Sequence, residues 1–98
     1  MSGTAELTFR PLGAHSSGLA IATAQLLARP EAGVTQLMIQ ALTQNVRLTL
    51  DGTTPTTALG FQIKAGDPPV IFPLAVGGQE RVIQEAATAS LQYQYGGF

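Results

Sequence analysis

Any chemistry in this chain must come from one histidine, six carboxylates and five cations, since there is no cysteine. His15 stands in a Gly/Ala/Ser stretch with no second ligand-type residue beside it, so neither a zinc site nor a Ser-His-Asp relay is expected there. Asp51, Asp67, Glu80 and Glu85 could in principle supply a pair of catalytic carboxyls, but glycoside cleavage needs two held at a defined separation across a cleft, and their spacing suggests no such pair. The run DGTTPT from Asp51 offers a single carboxylate, where a calcium loop needs oxygen ligands at alternate positions; it reads as a turn. No Lys-Ser/Thr helix start follows Gly77-Gly78, so these residues do not form a phosphate loop. Arg47 lies on the polar face of an otherwise apolar segment, where a cross-strand carboxylate or a loop carbonyl is a more ordinary partner than a bound anion. Tyr93 and Tyr95 share a strand face and could stack on a sugar or a base; core packing with the hydroxyls at the rim is the plainer expectation. The expectation is a protein that is not an enzyme, with no catalytic residue, no cofactor and no metal ligand.

Composition points the same way. Ninety-eight residues suit one domain with a single core. Only 11% of them are charged, against about 25% in ordinary soluble domains. A surface built from Thr, Gln, Ser, Ala and Gly has little electrostatic reason to stay apart from neighbours, which favours a subunit of something larger. The net charge of −1 and the scattering of Arg10, Arg29, Arg47, Lys64 and Arg81 argue against a nucleic-acid partner. No apolar run approaches the ~18 residues of a membrane span, and the first ten residues lack the pattern of a secretory signal, so no membrane partner is expected and cytoplasmic synthesis is.

The elements that would position these residues are strands. Asn45–Gly60 organises the pattern: Val46, Leu48 and Leu50 alternate with Arg47 and Thr49, Asp51-Gly52 ends the run, and Pro55 stiffens the connection to a second alternation at Gly60–Lys64. Before it, Val34–Thr43 has Leu37, Ile39 and Ala41 on one face and Met38 and Leu42 on the other. A strand apolar on both sides is either central or covered by a partner. Apolar parity flips from odd to even across Gln44-Asn45, so a turn or bulge is expected there. Leu19–Arg29 is helix-friendly in composition, but the Pro30–Gly33 turn that ends it and the strand beyond favour a strand. Val70–Leu74 contains Pro73 and belongs at an edge. Glu80–Glu85 forms a strand centred on Val82-Ile83, and Ala89–Tyr95 carries the cleanest alternation in the chain. At the N-terminus, Ala5–Arg10 can be a short strand, and Pro11–Gly18 is too rich in Gly, Ser and Pro for a regular element.

Roughly six to eight short strands with turn signals every eight to twelve residues predict an all-β, single-domain antiparallel β-sandwich or jelly-roll-like barrel. The expected division is an extended N-terminal arm over residues 1–18 and a β-sandwich domain over residues 19–98.

The run from Gln40 to Tyr95, with the segments QNVRLTLDGTTPT, GFQIKAGDPP and RVIQEAATASLQYQY, resembles small structural proteins of tailed-bacteriophage and prophage virions. The likeness covers a little over half of the chain and carries no chemistry; Met1–Arg29 has no counterpart in it. It implies a virion protein assembled in a bacterial cytoplasm, of the capsid decoration (cement) type. Its partners would be the major capsid protein or another virion protein, and sister copies in a homo-oligomer. A head–tail connector or tail component is the neighbouring alternative. The same DGTTPT turn is also similar to that of Ig-like domains appended to chitin- and hexosamine-cleaving enzymes, with Leu48 where those carry an aromatic; that likeness implies a carbohydrate-binding module. Both imply a β-sandwich.

Overall fold

The computed structural model describes residues 9–97, and among them there is no helix. The elements are β1 (Arg10–Pro11), β2 (Ser16–Ala20), β3 (Gln25–Leu26), β4 (Gln36–Ala41), β5 (Val46–Thr49), β6 (Phe61–Ile63), β7 (Val70–Pro73), β8 (Arg81–Gln84) and β9 (Ser90–Gly97). They form two antiparallel sheets, as the period-2 patterning predicts. Sheet A runs β1-β9-β4-β7, with β2 continuing the line of β1 along β9; sheet B runs β3-β8-β5-β6.

The core lies between the sheets. Leu37, Ile39 and Ala41 of β4 and Leu91 and Tyr95 of β9 face Val46 and Leu48 of β5, Val82 of β8 and Ile63 of β6. The parity flip at Gln44-Asn45 is the chain leaving sheet A for sheet B: β4 turns its odd residues inward and β5 its even ones. Asn45 holds the crossing, its backbone carbonyl accepting from Glu85 N at 3.0 Å and its side-chain oxygen from Ala65 N at 2.9 Å. Leu19–Arg29 contains no helix; it is divided between the end of β2, a bend, and the short β3.

From Arg10 onward, the stretch expected as an extended arm runs along the edge of sheet A. Arg10 and Pro11 pair with Gly97 and Gly96, Leu12 N donates to Tyr95 O at 2.9 Å, and Leu12 packs on the core. Its glycines mark irregularities in an edge strand: Gly13 and Gly18 have positive φ, and the register of β2 shifts between Ser16 and Leu19. Most of the expected strand Ala5–Arg10, with the rest of the arm before it, lies outside the described residues.

β7 is an edge strand, as Pro73 requires. Leu74 N donates to Thr35 O at 2.8 Å, so by strand alternation Leu74 and Phe72 turn their backbone groups to β4, and Ile71 and Pro73 turn theirs outward. Proline has no N–H to offer there, which blunts the edge against pairing with another strand.

Two backbone positions are set by φ. Gly52 has φ +88, and its N–H donates to Gln79 O at 2.9 Å. Gly52→Val is expected to lower stability by about 1–3 kcal/mol, read as the urea midpoint, because a β-branched residue tolerates this region badly. Thr88, in the β8–β9 turn, has φ 67 although it is β-branched. Thr43 Oγ1 pins that turn, donating to Thr88 O at 2.7 Å and accepting from Ser90 N at 3.1 Å. Thr88→Gly is expected to raise stability by about 0.5–1 kcal/mol, the strain relieved exceeding glycine's extra unfolded-state entropy; an unchanged or lower midpoint would show that the turn holds no such strain.

Candidate functional site

The polar residues singled out in the sequence are dispersed, and most serve the fold. Asp51 closes its own turn by accepting from Thr53 N at 3.0 Å, and Thr53 holds its carboxyl below the usual carboxylate range. Arg47 has both kinds of partner expected of it: Nε donates to Glu85 Oε2 at 2.6 Å and Nη1 to Gly60 O at 3.0 Å. Gln62 donates to the same Glu85 oxygen at 2.9 Å, and this bond, with Arg47, holds the Glu85 carboxyl low. Asp67 and His15 are both exposed. Among the described residues no three His, Asp or Glu side chains come together as metal ligands.

Glu80 is different, and nothing in the local pattern marked it. Its side chain is completely buried, directly before β8. Arg29, in the segment after β3, grips it with two bonds, Nε to Oε1 at 3.0 Å and Nη2 to Oε2 at 2.6 Å. Tyr95, on β9 of the opposite sheet, donates its hydroxyl to Oε1 at 2.7 Å. The third guanidinium nitrogen donates to Ala75 O at 3.1 Å and so secures the β7–β8 loop. Burial, then the bond to Glu80, pushes the Tyr95 phenol far above its ordinary value. The Tyr95 hydroxyl therefore lies inside the core, where the sequence suggested the rim. Tyr93 packs beside it edge-on, with ring centres 5.8 Å apart. The cluster holds a carboxylate neutralised by an arginine and shielded from solvent, an arrangement suited to joining sheets.

Two surfaces remain. On the outer face of sheet A, Gln40 and Gln92 from neighbouring strands are bonded to each other through their amides, and His15 Nε2 lies 3.2 Å from Gln92 Oε1. On the side of the sandwich where β6 and β7 end the two sheets, Leu59, Phe61 and Val70 are between 40% and 58% exposed, while Ile71, level with Met38, turns to the outer face of sheet A. Val70 shares the inward face of β7 with Phe72, and Phe61 of sheet B reaches Phe72 with ring centres 5.9 Å apart, which makes an apolar strip across both edges. This strip is the candidate interface. Pro73 identified β7 as an edge but not its neighbour: Phe61 and Phe72 are brought together only by sandwich closure.

No family model, no curated protein and no solved structure matches this chain.

The Glu80 cluster generates a ranked expectation. Arg29→Ala leaves a fully buried carboxylate without its cation and should cost about 3–5 kcal/mol. Tyr95→Phe removes one donor to it and should cost about 1–2 kcal/mol. Because the folded-state phenol titrates above its unfolded value of 10.0, its contribution is complete below pH 10 and is lost as pH rises beyond that. Urea midpoints measured from neutral pH to above pH 10 should fall in the native protein, and this alkaline fall should flatten in Tyr95→Phe. Equal costs for the two variants would contradict the assignment of Arg29 as the essential counter-ion.

Proposed function

We propose that this chain is a non-enzymatic structural protein of a tailed-bacteriophage virion, a capsid decoration protein that docks on the shell and on sister copies through the apolar strip at the β6 and β7 edges. The strip is the observation that carries this reading. Three large apolar side chains, Leu59, Phe61 and Val70, at the free edges of both sheets, stay in water on a chain whose overall charge is nearly nil. Contiguous exposed apolar surface of this kind marks interaction sites more often than scattered single residues do. The resemblance of the segments from Gln40 to Tyr95 to phage virion proteins supports the setting, and a head–tail connector would use the same surface.

Docking would proceed by side chains rather than by strand addition. Pro73 withholds an outward N–H from β7, and β6 is three residues long, too short to template a partner strand. Association would also depend little on salt, because the strip itself bears no charge.

The direct test is to identify the neighbouring genes and to co-express this chain with a shell protein that one of them encodes. The native chain should remain bound to assembled shells through a density gradient. Phe61→Asp should fold, with an unchanged β-type circular dichroism spectrum, but bind at least about tenfold more weakly, since burying a Phe side chain is worth about 1.5–3 kcal/mol. Full retention of shell binding by both Phe61→Asp and Val70→Asp would remove the strip from the mechanism. A glycosidase gene as neighbour, with no shell or portal gene, would remove the virion setting.

A further inference from the structure

The outer face of sheet A carries a second feature that the docking strip does not use. A hollow of about 270 Å³ lies over β9 and β4, with Phe9 and Pro11 on one side and Pro69 on the other. This is just below the roughly 300–1,000 Å³ of pockets that hold drug-sized ligands, so it suits a small one. We propose that this hollow binds a neutral saccharide, one or two sugar rings of a glycan, through the amides of Gln40 and Gln92.

The hydrogen-bond inventory favours this ligand. His15 Nε2 approaches Gln92 Oε1, Gln92 Nε2 donates to Gln40 Oε1, and Gln40 Nε2 donates to Asp67 O at 3.1 Å. An amide carries two N–H donors and two acceptor lone pairs. Among the described residues, each glutamine in this relay uses one donor and one acceptor internally, which leaves it one of each. The relay also orients the amides, so they need not be ordered when a ligand arrives. Hydroxyl groups, which donate and accept at once, match such a pair.

The walls complete the match. Among the described residues the lining holds no Lys, Arg, Asp or Glu, and His15 turns Nε2 to the Gln92 amide oxygen, so no fixed charge there would compensate a phosphate or carboxylate. Phe9 is held in place by Gly96, where an added Cβ would come within 2.6 Å of its ring. Phe9, Pro11 and Pro69 therefore present apolar surfaces around polar amides. A sugar ring has hydroxyls at its rim and apolar C–H faces, and so meets both. An extended peptide would instead need a sheet edge, and this hollow lies on a sheet face closed at both sides.

The inference stands apart from the docking reading, because the amides are on the face of sheet A and the Phe61–Phe72 contact is on the side between the sheets. The test is a titration of ¹⁵N-labelled protein with neutral trisaccharides of gluco, N-acetylgluco, manno and galacto configuration, and with trigalacturonate as the acidic control. At least one neutral probe should shift the side-chain NH₂ resonances of Gln40 and Gln92, with a dissociation constant of about 1 mM or tighter. Gln92→Leu should weaken that binding about tenfold or more, and His15→Ala, a change in an exposed loop that leaves the fold intact, should weaken it by a smaller factor. The proposal fails if no neutral probe moves these resonances at about 10 mM, far above that constant. It fails equally if the shifts centre on Asp51–Phe61 instead, if trigalacturonate binds as well as the neutral probes, or if neither variant alters the affinity.

Discussion

The carboxylate of Glu80 sets the terms for the rest of this fold. A fully buried charge costs several kcal/mol in lost hydration, and the cost is met only when partners are held in good geometry. Here the cluster draws on three places: Arg29 beyond β3, Tyr95 in sheet A, and Glu80 itself directly before β8 of sheet B. No two of these segments can slide without breaking a bond to a group that water cannot reach. Replacement of such a cluster by apolar residues is often neutral or stabilising, so its value to this chain lies in fixing how the sheets sit together. Arg29 extends the constraint through Ala75 O to the β7–β8 loop, whose tip carries the nearly fully exposed Val76.

Around this tie the sandwich closes its edges in different ways. β1 and β2 are broken by positive-φ glycines and a register shift, β3 is two residues long, β6 is three, and β7 carries a proline whose missing N–H faces outward. Each device discourages pairing with another strand. Backbone association is thus suppressed on every side, while side-chain surface is left available in two forms, apolar where the sheets end and amide-lined on the outer face of sheet A. A weakly charged chain without such edges would be exposed to edge-to-edge aggregation, since it lacks the net charge that keeps many small domains apart.

The strands, their inward faces and several turns were legible in the sequence because each is a local matter. Alternation over four to six residues dictates which side chains can share a face. That is why Leu37, Ile39 and Ala41, then Val46 and Leu48, then Leu91 and Tyr95, are buried where the pattern puts them. The parity flip at Gln44-Asn45 marked the crossing between sheets, Asp51-Gly52 marked a positive-φ turn, and Arg47 could be expected to find a carboxylate or a carbonyl. The stretch after Arg10 was harder to read. Its glycines and prolines have the composition of a loose arm, yet they are tolerated within an edge strand because an edge can bulge outward without disturbing a ladder on its far side.

Sequence alone therefore determined an all-β chain with alternating strands, turns at Gly and Pro, a low surface charge and no patterned set of catalytic residues. Tertiary structure alone decided the partnerships. Glu80 meets an arginine 51 positions away and a tyrosine 15 positions away; Phe61 meets Phe72 across the gap between two sheets, and Gln40 meets Gln92 across a strand pair. Alternation reports only which face a side chain occupies. Which strands become neighbours, and at what register, follows from packing the whole core at once, and that decides whether a carboxylate is a solvated surface charge or the buried tie between two sheets.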